Sequence, residues 1–180
     1  MRKLVESTFV TTDGVIAEPH RWSAPYWDNE HADYAAGLLF ASDALLLGRE
    51  TYTGFASAWP TRPAGDEYTD RINAMPKYVA SRTLRQEDAT WNATILQGDV
   101  TEAVRVLKEQ DGADILKFGT GSLSHLLLDN KLVDEYHFWI FPTIAGAGTR
   151  LFEGRDVSHL ELLDTTTFKS GIVVHRLAPR

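Results

Sequence analysis

The ten residues Asp114-Ile115-Leu116-Lys117-Phe118-Gly119-Thr120-Gly121-Ser122-Leu123 constrain this chain most. A short apolar run breaks at two glycines, and an apolar-periodic stretch, Leu123 to Leu128, follows at once. That order reads as a strand, a tight turn and a helix start, the unit from which parallel α/β sheets are built. Glycines at such a turn let a backbone or ligand approach closely, and the helix start offers unpaired N–H groups to an anion. The pattern suits an ordinary βα connection and a nucleotide cradle equally.

A Rossmann fingerprint would need Gly or Ala where Ser124 stands and an acidic residue near Trp139, and its turn would follow the first strand of the domain. None of these three conditions is met, so another α/β fold is expected. Further strands are read at Lys3 to Thr11, Ala44 to Leu47, Lys77 to Ser81, Thr94 to Gln97 and Tyr136 to Phe141. Helical stretches fall at Asn29 to Ala41, at Thr51 to Phe55, at Thr69 to Asn73 before Pro76, and at Val100 to Gln110. Asp99 with Glu102 makes a capping-box pattern ahead of that last helix. Strand and helix alternate, which implies a mostly parallel central sheet with helices on both faces. Leu160 to Phe168 and Ile172 to Leu177, joined at Lys169-Ser170-Gly171, read as a C-terminal antiparallel hairpin. Pro142 should end the preceding strand, and Gly146-Ala147-Gly148 is read as conformational punctuation.

One domain over residues 1–180 is expected, since no linker or low-complexity tract divides the chain and 43% apolar residues supply a core. The chain has no cysteine, which excludes disulfides, thiolate nucleophiles and Cys-ligated metals. The six histidines show no metal-ligand spacing, so no metal is expected. A net charge of −7 argues against nucleic acid as the partner. No signal-peptide core follows Met1-Arg2-Lys3-Leu4 and no apolar run reaches membrane-spanning length, so a cytoplasmic protein without membrane contact is expected.

Three more segments can be read with the Gly119 turn. Leu47-Gly48-Arg49-Glu50-Thr51-Tyr52 is again strand, glycine and helix start, with Arg49 placed to pair with a phosphate. Val79-Ala80-Ser81-Arg82-Thr83 ends a strand with two hydroxyls and a guanidinium, a suitable set for a phosphate monoester. Thr12-Asp13-Gly14-Val15-Ile16-Ala17 leaves the first strand through a turn into an aromatic-rich loop, Glu18 to Asp28. With Leu132-Val133-Asp134-Glu135, Pro142 and Gly146-Ala147-Gly148, these ordered segments resemble the dihydrofolate reductase superfamily. The resemblance is closest to its riboflavin-biosynthesis branch, the RibD C-terminal reductase domain, and spans nearly the whole chain.

The resemblance implies a dihydrofolate reductase-like fold and NADPH as hydride donor. Its pyrophosphate would lie between the helix starts at Gly48, Arg49 and Thr51 and at Gly119, Thr120, Gly121, Ser122 and Leu123. Ser81, Arg82 and Thr83 would face the adenosine 2′-phosphate, and Ile16 and Ala17 the nicotinamide. The implied activity is reduction of a small planar heterocycle, with 5-amino-6-(5-phosphoribosylamino)uracil reduction the closest named reaction. Dihydrofolate reduction and non-catalytic nucleotide binding are the alternatives. The Glu18 to Asp28 loop is the expected lid, where Trp22 and Trp27 could either stack on substrate or pin the loop.

Reduction also needs a proton, and superfamily enzymes take it through a carboxylate on the helix after the lid. Asp33 is the candidate: on a helix it shares a face with Gly37 and Phe40, so its carboxylate could border a pocket, or it could be a solvated surface charge. The family resemblance also implies a homodimer built on sheet edges, with Tyr136 to Phe141 as the apolar strand in need of cover.

Overall fold

A strand that is apolar on both sides is stable only inside a sheet with helices above and below. Strand β2 (Ser42–Gly48) is of this kind, with Ala44 to Leu47 fully buried. The computed structural model describes all residues, Met1–Arg180, and sets β2 in an eight-stranded sheet. Its other strands are β1 (Leu4–Thr11), β3 (Lys77–Ala80), β4 (Ala93–Leu96), β5 (Asp114–Phe118), β6 (Glu135–Phe141), β7 (Leu160–Thr167) and β8 (Val173–Pro179). The order across the sheet is β4-β3-β2-β5-β1-β6-β8-β7. Only β8 runs against the rest, pairing antiparallel with β6 and β7 through a hairpin that turns at Gly171.

The helices divide between the two faces because successive strand residues point opposite ways. Leu45 and Leu47 pack in one cluster with Leu39 of α1 (Asn29–Phe40), Tyr52 of α2 (Arg49–Ala58) and Ile72 of α3 (Glu67–Ala74). Leu46 points into the other cluster, with Val104 of α4 (Val100–Glu109) and Leu127 of α5 (Ser122–Asp129). A third, aromatic cluster around Trp139, Phe141 and Phe168 fills the space beyond β1 toward the hairpin.

Three helices start on an aspartate that accepts a first-turn N–H: Asp28 from His31 at 2.8 Å, Asp66 from Thr69 at 2.8 Å, and Asp99 from Thr101 at 2.8 Å. The Asp99 cap is half of the predicted box, because Glu102 turns to Arg105 at 3.6 Å. Helix α2 is longer than Thr51 to Phe55, since Tyr52 and Phe55 continue a stripe that packs on the sheet and meets Phe118.

The chain visits β2, β3 and β4 outward from the centre and then returns to lay β5 between β2 and β1. Two glycine-ended strands thus become neighbours although 70 residues of sequence separate their turns. Strand β6, read as an edge in need of cover, lies inside between β1 and β8, with six of its seven residues buried. The edges are β4 and β7.

Candidate functional site

In the parallel pairing of β2 with β5, Leu46 stands opposite Lys117, so Gly48 and Gly119 end their strands at the same level. The two turns interlock. A Cβ on Gly48 would touch that of Leu123 at 3.9 Å, and a Cβ on Gly119 would press on Thr51 Oγ1 at 3.2 Å. Gly119 also has a φ of +71°, which only glycine adopts without strain. Gly121 is different: its backbone is extended, and a Cβ there would meet nothing within 4 Å. The protein's own packing does not require glycine at 121, and the space its missing side chain leaves is open.

Unlike α1, α3 and α4, the helices that start here have no side-chain cap: α2 begins on Gly48 and α5 on Gly121. Their first-turn N–H groups are left for an outside acceptor, on top of the positive ends of two helix dipoles. Arg49 reaches from the start of α2 to donate to Thr83 Oγ1 at 2.6 Å. Ser81 Oγ accepts from the N–H groups of Thr83 and Leu84 at 3.3 and 3.0 Å, which folds the end of β3 into a compact turn with Arg82 exposed beside it. The sequence-predicted phosphate-binding residues are therefore gathered at the C-terminal ends of β3, β2 and β5.

Beneath the Gly119 turn lies a buried polar network that sequence reading did not find. Lys117 of β5 and Glu6 of β1 form an ion pair at 3.4 Å, with side chains 2% and 0% exposed. Lys117 Nζ also donates to the Gly119 carbonyl and, at 2.7 Å, to Ser124 Oγ on α5. Thr120 Oγ1 donates to Glu6 Oε1 at 2.9 Å and meets Thr8 Oγ1 at 2.8 Å. Burial lowers the Lys117 pKa and Glu6 opposes that shift. The turn is tied from below to β1, β5 and α5 at once. A lone charge inside an apolar strand was the available signal.

The Ile16 and Ala17 segment is held by the loop after β6. Asp13 accepts from Thr11 Oγ1 at 2.6 Å and from the N–H groups of Ala145 and Gly146 at 3.1 and 2.8 Å; these bonds lower its pKa to about 2. Ile16 N–H donates to Thr149 O at 2.9 Å. Gly148, at φ +126°, lies so close to Val15 and Ala17 that a Cβ would reach them at 2.9 and 3.1 Å. Gly148 is thus held by close packing, while Gly146, at φ +78° with open space at its Cβ position, turns the chain in the manner of conformational punctuation.

The two lid tryptophans have different surroundings. Trp22 Nε1 donates to Ala17 O at 3.0 Å and its ring meets Phe141 edge-on, so it pins the loop. Trp27 is 55% exposed and lies against His31. Asp33 is exposed, as are Gly37 and Phe40. The shared face read from the sequence is real, but it is the outer face of α1; the inner stripe is His31, Tyr34, Ala35 and Leu38. Asp33 therefore borders no pocket between α1 and the sheet.

At the opposite end of the sheet a cleft of about 230 Å³ opens where Lys3 and Arg176 converge on Glu135 at 2.5 and 3.0 Å. Its charges neutralise one another, and it is remote from the glycine turns. No group of His, Asp and Glu has the arrangement of a metal site, and no helix is long and apolar enough to cross a membrane.

Breaking the buried pair should be costly. Lys117→Met is expected to lower unfolding free energy by about 3 to 5 kcal/mol by stranding Glu6, and adding Glu6→Gln should recover part of that loss. Urea denaturation of the two single variants and the double variant measures this. Single-variant losses under about 1 kcal/mol would show that the pair does not hold the turn.

Comparison with known proteins agrees with this arrangement. The family described as the RibD C-terminal domain matches residues 2–174. The uncharacterized Bacillus subtilis protein YyaP is 29% identical over 96% of this chain and 92% of its own. A Shewanella sp. PV-4 protein named for riboflavin biosynthesis superposes with a TM-score of 0.77 at 18% identity over 99% of both chains. The Thermotoga maritima diaminohydroxyphosphoribosylaminopyrimidine deaminase/5-amino-6-(5-phosphoribosylamino)uracil reductase gives 0.69 at 16% identity, over 99% of this chain and 57% of that one. The mostly parallel sheet with its C-terminal antiparallel hairpin and surrounding helices is a dihydrofolate reductase-like fold, and the chain belongs to the RibD C-terminal domain family.

Proposed function

We propose that this protein is an NADPH-dependent reductase acting on a small planar heterocycle, with reduction of 5-amino-6-(5-phosphoribosylamino)uracil the closest named reaction. The observation that carries this reading is the pair of glycine-started helices, α2 and α5, whose N-termini lie side by side at the C-terminal ends of β2 and β5 without a side-chain acceptor for their first-turn N–H groups. Two adjacent sets of unpaired N–H groups fit a diphosphate, whose two phosphates each need such donors. Membership of the RibD C-terminal domain family supports the same assignment.

NADPH would supply the hydride; the chain's own residues would bind and orient it. The first-turn N–H groups after Gly48 and Gly121 would hold the diphosphate, and the open space at Gly121 would let it come close. Arg82, exposed beside the Ser81 turn, is the free cation there, whereas Arg49 already bonds Thr83. We assign Arg82 and Ser81 to the adenosine 2′-phosphate. Ile16 and Ala17, fixed by the Asp13 loop, would form the wall against which the nicotinamide ring lies.

Titration calorimetry tests the cofactor assignment. One charge-assisted contact is worth roughly 1.5 to 3 kcal/mol, so Arg82→Ala should weaken NADPH about tenfold or more and leave NADH nearly unchanged. Equal losses for both cofactors would contradict the assignment. Gly121→Val should fold normally, since nothing in the protein occupies its Cβ position, yet lose the rise in melting temperature that NADPH gives the wild type.

The small-molecule site leaves the β7 edge free for a second copy. Leu162 and Leu163 are exposed on this edge strand, a composition prone to pairing with another strand. We assign the homodimer interface to this edge. Light scattering should give twice 20.1 kDa, and a mass of 20.1 kDa at working concentration would reject the dimer.

A further inference from the structure

His31 stands on the first turn of α1, pointing inward, at only 9% exposure. Three aromatic rings surround it: Phe9 of β1 at 5.5 Å, Trp139 of β6 at 5.1 Å and Trp27 of the lid at 5.4 Å between centroids. Packing alone would favour a hydrocarbon ring at such a position, because a buried imidazole without partners gives up hydrogen bonds to water. The other polar rings of this cluster do have partners. Trp139 Nε1 donates to Ser7 Oγ at 3.0 Å, and Tyr34 OH bonds His137 Nδ1 at 2.8 Å. The backbone N–H of His31 goes to Asp28, but its ring nitrogens bond no protein atom and are not sealed from solvent.

Trp27, the one ring of this cage that belongs to the lid, is more than half exposed although Trp22 and Tyr26 of the same loop are both bonded down. No carboxylate of this stretch bonds the His31 ring. Asp28 caps the helix, Glu30 accepts the Lys169 N–H at 2.6 Å, and Asp33 faces solvent. The rings that strands β1 and β6 set against His31 are Phe9 and Trp139. Burial lowers the His31 pKa against the pull of Asp28, so the ring is neutral near pH 7 and carries one donor and one acceptor.

Resting on the reductase reading, we infer that His31 is the side chain that hydrogen-bonds the substrate's ring, with the Trp27 indole as the face on which that ring lies. A neutral imidazole in an aromatic cage selects an uncharged planar ring with a lactam-type edge, in which N–H and C=O are adjacent.

The test uses 5,6-diaminouracil as an uncharged lactam probe, titrated into the protein with and without NADPH and followed by NMR of the histidine ring protons. Binding should shift the His31 Hε1 resonance. His31→Phe, which keeps a ring in the cage, should bind the probe at least tenfold more weakly with NADPH affinity and melting temperature retained, and His31→Gln should recover most of the loss. A probe that does not bind, that leaves the His31 resonance unmoved, or that binds His31→Phe within twofold of wild type overturns the inference. Probe binding at His31 in a protein that does not bind NADPH would uphold this site and contradict the reductase reading.

Discussion

The buried ion pair between Glu6 and Lys117 is the contact on which the candidate site depends. It joins the first strand of the chain to the fifth, and its ammonium also holds the Gly119 carbonyl and the Ser124 hydroxyl. A glycine turn has little intrinsic preference for one shape, because glycine loses the most conformational freedom on ordering. Here that freedom is removed from beneath. Thr120 is bonded to Glu6 and the Gly119 N–H to the Ser7 carbonyl, so the residues that open α5 are set before any ligand arrives. Such preorganisation lets binding energy go into contacts rather than into ordering the loop.

The same economy explains which helices carry caps. Asp28, Asp66 and Asp99 accept first-turn N–H groups of their own helices, while at the interlocked glycines Ser124 Oγ takes only the Gly121 N–H at 3.3 Å and the first-turn N–H groups beyond Gly48 and Gly121 have no side-chain acceptor. Leaving both starts on glycine costs little stability, about a few tenths of a kcal/mol each by comparison with a Ser, Thr, Asn or Asp cap. Their position at adjacent strand ends, where the chain doubles back to insert β5, is also where open α/β sheets bind ligands.

Much of this was legible in the sequence because it is local. Strand runs, the Asp99 cap, the Lys169-Ser170-Gly171 hairpin and the glycine turns are each written in a few consecutive residues. What was not legible depends on contacts distant in sequence. Glu6 and Lys117 are 111 positions apart, and neither has a neighbour that predicts the other. The apolar run Tyr136 to Phe141 calls for cover on both sides, but that the cover comes from β1 and from the C-terminal hairpin is written nowhere in those residues. Asp33 shows a finer limit: helical spacing identified its face correctly, but the sign of that face, inward or outward, was set by the neighbouring His31 stripe packing on Phe9 and Trp139.

The central claim is that the two uncapped helix starts jointly hold the diphosphate of NADPH. Backbone amide NMR during an NADPH titration tests it most directly, since an anion at an N–H group moves that resonance strongly. The account predicts the largest shifts in two separate stretches, Gly48 to Thr51 and Gly119 to Leu123, moving together with one dissociation constant. Saturable binding that shifts only one stretch, or neither, would contradict it.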